Sequence, residues 1–317
     1  MTGELRAIAG APMVTLDSVT KRYRGVVAVS EVSCELGPGV TAVLGPNGAG
    51  KSTVLRLACG LTRPTDGVVR IHGHDPRREP RVARFVGVVP QHHRLLPRTS
   101  ALRFVELAGT LSGVEDPVAA ARTSLEAVEL DPDDTRPTEQ YSNGMRQRVK
   151  IAQALVTGPS ILVVDEPLNG LDPRQRERMI DTLRELGRQG RCVVISSHVL
   201  EEVERFGSRV VVLDRGRLVA EGDVAGIRAL MDDRPHHLRI GTDRPQDLAA
   251  ALIESGAVTE CRLGTGQVEV ACTDVATFAR ALAPTAVRVG AELTEVRPLD
   301  EDLESVFRYL TQGARPQ

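Results

Sequence analysis

The chemistry-bearing residues lie in two short runs. Gly45-Pro46-Asn47-Gly48-Ala49-Gly50-Lys51-Ser52-Thr53 satisfies G-x-x-x-x-G-K-[ST], after an apolar run and before a helix-like stretch. Glycines there let successive backbone N–H groups converge on a phosphate, and the helix N-terminus adds a positive dipole. Lys51 is placed to reach β- and γ-phosphates, and the Ser52 hydroxyl to ligate Mg²⁺. The second run, Ile161-Leu162-Val163-Val164-Asp165-Glu166, is a buried strand ending in two carboxylates. Ligands gather at the carboxyl ends of strands in open α/β sheets. Asp165 is expected in the Mg²⁺ shell and Glu166 beside the attacking water. Together the runs imply a P-loop nucleoside triphosphatase.

Five further features resemble the ATP-binding cassette (ABC) ATPases. Tyr141-Ser142-Asn143-Gly144-Met145 resembles the family's signature loop. Gln91, in Val88-Val89-Pro90-Gln91, resembles the glutamine loop. Asn169-Gly170-Leu171-Asp172 resembles the D-loop. His198, in Ser196-Ser197-His198, resembles the switch histidine, and Tyr23 the aromatic that stacks on adenine. The resemblance spans residues 13 to about 230. It implies that Tyr23 meets the adenine, Gln91 meets Mg²⁺ and the attacking water, and His198 meets the γ-phosphate and orients Glu166. It also implies that Ser142 and the Gly144 N–H grip a nucleotide held by an opposite subunit, and that Asp172 is among the nucleotide-binding residues. One P-loop and one signature per chain then require a second ATPase subunit, in a homodimer or a heterodimer with a homologue.

The signature departs from the usual form. Tyr141 stands where Leu is common, Asn143 where Gly is, Met145 where Gln is, and Leu168 follows Asp-Glu-Pro where Thr is frequent. The variant resembles bacterial drug-resistance exporter ATPases, as does the ending Leu303-Glu304-Ser305-Val306-Phe307. The resemblance implies separate transmembrane permease subunits, with 92–110 as the docking surface, and a peripheral place on the cytoplasmic face of the bacterial membrane. The alternative is a soluble cassette ATPase acting on nucleic acid or ribosomes.

The elements that position these groups follow from periodicity. Alternating Val14, Leu16, Val19 and then Val27, Val29, Val32 predict antiparallel strands. Apolar runs at 40–44, 67–71, 161–164 and 192–196 read as strands, and 210–213 enters a hairpin turning at Asp214-Arg215-Gly216. Helical spacing covers 95–130, with Leu102, Val105, Leu107 and Leu111 as its stripe and breaks at Asp116-Pro117 and Asp131-Pro132. It recurs at 144–156, 174–186 and 199–206. Strands alternating with helices imply a mainly parallel sheet with helices on both faces. The fold expected is therefore an α/β P-loop cassette with an antiparallel β subdomain and a helical subdomain.

The pattern breaks at Asp232, Asp233 and Pro235. Beyond it, strand-helix-strand-strand-helix-strand is the split βαβ order of ferredoxin-like domains. Its helices are read at 245–255 and 275–282, and a closing helix at 301–310. The expected organisation is a flexible tail over 1–12, a cassette over 13–230 and a small α+β accessory domain over 236–317.

Composition excludes several classes. Lys and Arg number 40 and Asp and Glu 42 in 317 residues, for a formal charge of −2. That balance argues against binding nucleic acid through phosphate neutralisation, and aromatics at 3% leave few stacking platforms. No apolar run approaches the ~18 residues that span a bilayer, and Glu4 and Arg6 interrupt any signal-peptide pattern. Five scattered cysteines fit small buried hydrophobes in a reducing compartment. The pairs His72/His74, His92/His93 and His236/His237 lack the partners of a zinc site. Arg77, Arg78, Arg81 and Arg84 read as a solvated face.

Overall fold

A computed structural model describes residues 12–91, 94–206, 209–223 and 236–299. The expected tail up to residue 11, the His92-His93 pair, the Asp232–Pro235 break and the closing helix at 301–310 lie outside the described residues. The chain forms two compact units that divide between residues 224 and 225.

In the first unit, β1 (Val14–Tyr23) pairs antiparallel with β2 (Val26–Leu36) and with β4 (Asp66–Ile71), in the order β2-β1-β4. The period-two apolar residues Val14, Leu16, Val19, Val29 and Val32 all point into the core. A six-stranded sheet carries the chemistry, in the order β5-β6-β7-β3-β8-β9. Its strands are β3 (Gly39–Leu44), β5 (Val86–Val89), β6 (Ile161–Val164), β7 (Cys192–Ser197), β8 (Arg209–Asp214) and β9 (Arg217–Asp223). All neighbours are parallel except the β8–β9 hairpin. Every residue of β6 and β7 is buried, as continuous apolar runs in a covered parallel sheet require.

Helix α1 (Lys51–Ala58) packs on β7 and the antiparallel sheet. Helices α5 (Pro173–Arg188) and α6 (Leu200–Phe206) pack on β3 and β7. A separate layer joins α2 (Ala101–Leu111), α3 (Pro117–Glu126) and α4 (Asn143–Leu155). Asp116-Pro117 is both a break and a start: Asp116 accepts the Ala119 N–H and Pro117 takes the first helical position.

Two expectations are corrected here. Helical structure begins at Ala101 rather than 95, where Ser100 caps it. Along α2 the buried residues are Ala101, Phe104, Val105 and Gly109, whereas Leu107 is 43% exposed and Leu111 80% exposed. Leucine spacing therefore marked an outward stripe, because Phe104 and the close contact of Gly109 with Pro117 set the inward face.

The second unit runs β10 (His236–Thr242), α7 (Pro245–Glu254), β11 (Glu260–Gly264), β12 (Gln267–Cys272), α8 (Val275–Val289), β13 (Leu293–Pro298). Its sheet is antiparallel in the order β11-β12-β10-β13, the ferredoxin-like arrangement. Leu238, Ile240, Leu252, Val268, Val270 and Phe278 form its own core. Helix α8 runs past the expected end at 282, carrying Pro284 inside it and closing at Gly290, φ 65°.

One brace ties the hairpin to the phosphate loop. The Gly216 N–H donates to the Ala49 carbonyl (2.9 Å), and the Gly216 carbonyl accepts from Ser30 N–H (2.8 Å). Gly216 has φ 80°, and a Cβ there would lie 2.7 Å from the Ala28 carbonyl oxygen. Gly216→Ala is expected to destabilise the first unit by roughly 1–3 kcal/mol in urea unfolding. Unchanged stability would remove the brace.

Candidate active site

Strand β3 ends at Leu44 and delivers the chain to residues 45–50, which turn into α1. Gly45 packs so closely that a Cβ would meet the Leu213 carbonyl oxygen at 2.6 Å. Gly50 caps α1 at φ 100°, and a Cβ would meet the Ala28 carbonyl oxygen at 2.5 Å. Both are therefore confined to glycine. No side chain caps α1 and its first turn holds no acidic residue. Pro46, Asn47, Gly48 and Ala49 complete the loop, and the N–H groups where it enters α1 at Ser52 and Thr53 suit an anion.

Lys51 is 7% exposed. Its Nζ donates to the Gly45 carbonyl at 2.6 Å and the Pro46 carbonyl at 3.3 Å, and pairs with Glu166 Oε1 at 3.5 Å. Glu166, 9% exposed, pairs at Oε2 with His198 Nδ1 at 3.0 Å. One carboxylate thus bridges an ammonium and an imidazole. Glu166 sits at φ 50°, a left-handed backbone that a β-strand exit rarely adopts and that recurs at functional sites.

Ser196 was not singled out by the sequence. Its Oγ donates to Asp165 Oδ1 at 2.5 Å and accepts the Glu166 N–H at 2.7 Å. The β6–β7 register sets it opposite the two carboxylates, and the same strand leads on to His198. The available signal was a buried hydroxyl at the end of an apolar strand.

On the other side, Ser142 caps α4, its Oγ accepting the Met145 N–H at 3.2 Å. Tyr141 is buried and tied to Asp134, with the Arg136 guanidinium 5.5 Å from its ring. Burial, reinforced by the Asp134 charge, pushes the Tyr141 hydroxyl up to about 12. The Arg136 guanidinium holds Asp134 down to about 2. An aromatic body with a satisfied polar tip thus replaces the usual leucine. Asn143 Nδ2 donates to the Gly170 carbonyl (3.3 Å), and the Gly144 N–H donates to Gln175 Oε1 (3.2 Å). Asp172 caps α5, accepting the Gln175 N–H at 2.9 Å.

Lys51, Asp165, Glu166 and His198 therefore come together. Gln91, at the end of β5, shares with Glu166 and Asn143 a cleft of about 630 Å³. Tyr23 stands apart at the end of β1, 41% exposed with Lys21 Nζ 4.8 Å from its ring centre. Four cysteines are buried, and the Arg77 guanidinium is fixed on Asp75 by a two-point contact, so it is more than a solvated charge. Among the described residues no group of three His, Cys, Asp or Glu is placed to hold a metal alone.

The ABC transporter family model matches residues 29–169. The daunorubicin resistance ATP-binding protein DrrA3 of Streptomyces coeruleorubidus is 37% identical over 68% of this chain and 70% of its own length. The chain belongs to the ABC transporter family. The Nod factor export ATP-binding protein I of Cupriavidus metallidurans is 36% identical, over 66% of this chain and 71% of its own length. Among solved structures, a dimeric bacterial ABC transporter cassette shares 30% identity at TM-score 0.59, over 67% of this chain and 99% of its own. A dimeric post-hydrolysis cassette with ADP and Pi is 31% identical, with the same TM-score and coverage. This ABC protein is an ATPase that binds ATP.

Two outcomes follow. Ser196→Ala leaves the Glu166 N–H unpaired and frees Asp165, so ATPase kcat should fall at least tenfold with folding stability lowered by about 1–3 kcal/mol. Parental kcat would remove Ser196 from the site. Asp134 is depressed from an ordinary value near 3.8, so its contribution is full above that pH and is lost as pH falls toward 2. The stability difference between wild type and Asp134→Asn should be constant from pH 5 to 8 and shrink below pH 4.

Proposed function

We propose that this chain is the ATP-hydrolysing subunit of an exporter and drives separate transmembrane permease subunits. The observation that carries the reading is the Glu166 carboxylate held between Lys51 and His198 at the mouth of the phosphate loop. In the proposed cycle the γ-phosphate takes over Lys51 and the loop N–H groups, while Tyr23 stacks on the adenine. Glu166 receives a proton from the attacking water. The oxygen of that water bonds to the γ-phosphorus as the bond to the β–γ bridging oxygen breaks, giving ADP and phosphate. His198 orients Glu166 and contacts the γ-phosphate, and Gln91 reads its presence.

Mg²⁺ fits the donors present. Asp165 keeps one carboxylate oxygen beyond its contact with Ser196, and the Ser52 hydroxyl and the Gln91 amide oxygen are hard ligands of the same kind. The ion would neutralise charge on the β- and γ-phosphates. With no group of three His, Cys, Asp or Glu among the described residues to hold it alone, the nucleotide would supply the remaining ligands.

Ser142 and Gly144 are proposed to grip the nucleotide of a second ATPase chain, identical or homologous, so that ATP joins two subunits head to tail and hydrolysis parts them. Drug-resistance and export names among the relatives support an exporter. The proposed cassette covers 13–230 and the accessory domain 236–317. The permease is proposed to dock over 92–110, a reading supported by the outward Leu96 and Leu107. No described helix is long and apolar enough to cross a membrane. Attachment to the cytoplasmic face is therefore proposed to run through the permease, with no nucleic-acid partner.

Glu166→Gln tests the assignment. It should cut multiple-turnover hydrolysis by at least a hundredfold and give a stable dimer in gel filtration with ATP but not ADP. Hydrolysis at the parental rate would remove Glu166 from catalysis.

A further inference from the structure

We propose that Gln175 is a specificity residue: its side-chain amide occupies the Gly144 N–H until a γ-phosphate replaces it, and so sets how much ATP is needed to join two chains. The inference rests on the reading that Ser142 and Gly144 bind the partner's nucleotide.

Gly144 is buried at the head of α4, and its N–H has one acceptor, Gln175 Oε1 at 3.2 Å. The fit is close. A Cβ at 144 would lie 3.0 Å from the Gln175 Cγ, Cδ and Oε1. A side chain at 144 would crowd the amide, so glycine gives it its closest approach. The backbone of Gln175 is fixed, because its N–H is bound by the Asp172 carboxylate that caps α5. A second tie, Asn143 Nδ2 to the Gly170 carbonyl at 3.3 Å, joins the same two segments. The residue that departs from the usual glycine therefore holds the signature loop against the turn carrying Asp172, which keeps Gln175 in register with Gly144.

The competition is one of acceptor strength. A buried N–H left without an acceptor is costly, so the neutral amide oxygen satisfies it in the single chain. A phosphate oxygen carries charge and makes a hydrogen bond roughly twice as strong. A γ-phosphate would therefore displace Gln175, whereas ADP has no γ-phosphate to compete with it. Without the amide, the same N–H would gain more from ATP, and the threshold for assembly would fall. A carboxylate at this position would accept the N–H more strongly and repel the phosphate, and the threshold would rise.

The test uses the full chain carrying Glu166→Gln, with dimer formation followed by light scattering against ATP concentration. Gln175→Ala is expected to lower the half-saturating ATP by about three- to tenfold, and Gln175→Glu to raise it by tenfold or more. Binding of ATP to the single chain's own phosphate loop, measured below the assembly concentration, should change less than twofold in both variants. Equal midpoints for all three chains would overturn the inference. A shift upward in both variants would also overturn it, since that marks Gln175 as a structural support of α5 only. A Glu166→Gln parent that stays monomeric in ATP would overturn the dimer reading and this inference with it.

Discussion

Glu166 stands between the Lys51 ammonium and the His198 imidazole, and most of the first unit serves to hold it there. A carboxylate that is nearly buried is costly unless charge and hydrogen bonds offset its desolvation. Here the compensation comes from two other parts of the chain: Lys51 beside the phosphate loop and His198 in the turn after β7. Parallel pairing of β6 with β7 brings the second within reach, and pairing of β7 with β3 brings in the first. The left-handed backbone at Glu166 persists because Ser196 fixes its N–H and its neighbour's carboxylate together. The geometry of this site is thus a property of strand register.

The α2–α4 layer is joined to this site by polar contacts. Tyr141 roots the signature loop through Asp134, and Asn143 and Gly144 reach the turn before α5. A further chain of contacts, Arg176 to Glu202 and Glu202 to Ser197, links α5 to the end of β7, next to His198. Hydrogen bonds between layers are exchangeable, unlike a packed core.

Much of this was legible in the sequence, for identifiable reasons. Phosphate-loop residues, the β6 carboxylates and His198 declare themselves because their chemistry demands fixed spacing within one turn or one strand end. Strand alternation over β1 and β2 and the buried run of β6 were equally plain. What escaped depended on contacts between distant segments. Ser196 matters through register, Gln175 through a side chain reaching 31 residues back to Gly144, and Tyr141 through a partner in an irregular loop. Of the residues spaced along α2, Val105 is buried whereas Leu107 and Leu111 are exposed, because the close approach of Gly109 to Pro117 sets the inward face. The length of α8 was underread because Pro284 looks like a stop, yet the packing of Thr285 and Ala286 carries the helix onward.

The central claim is that each ATP site is completed by a second chain. The specific ATPase rate against chain concentration, at saturating ATP, tests it most directly. The turnover per chain should rise steeply with concentration and then level off as dimers become the majority. A turnover per chain that stays constant through concentrations at which light scattering shows single chains would contradict the claim.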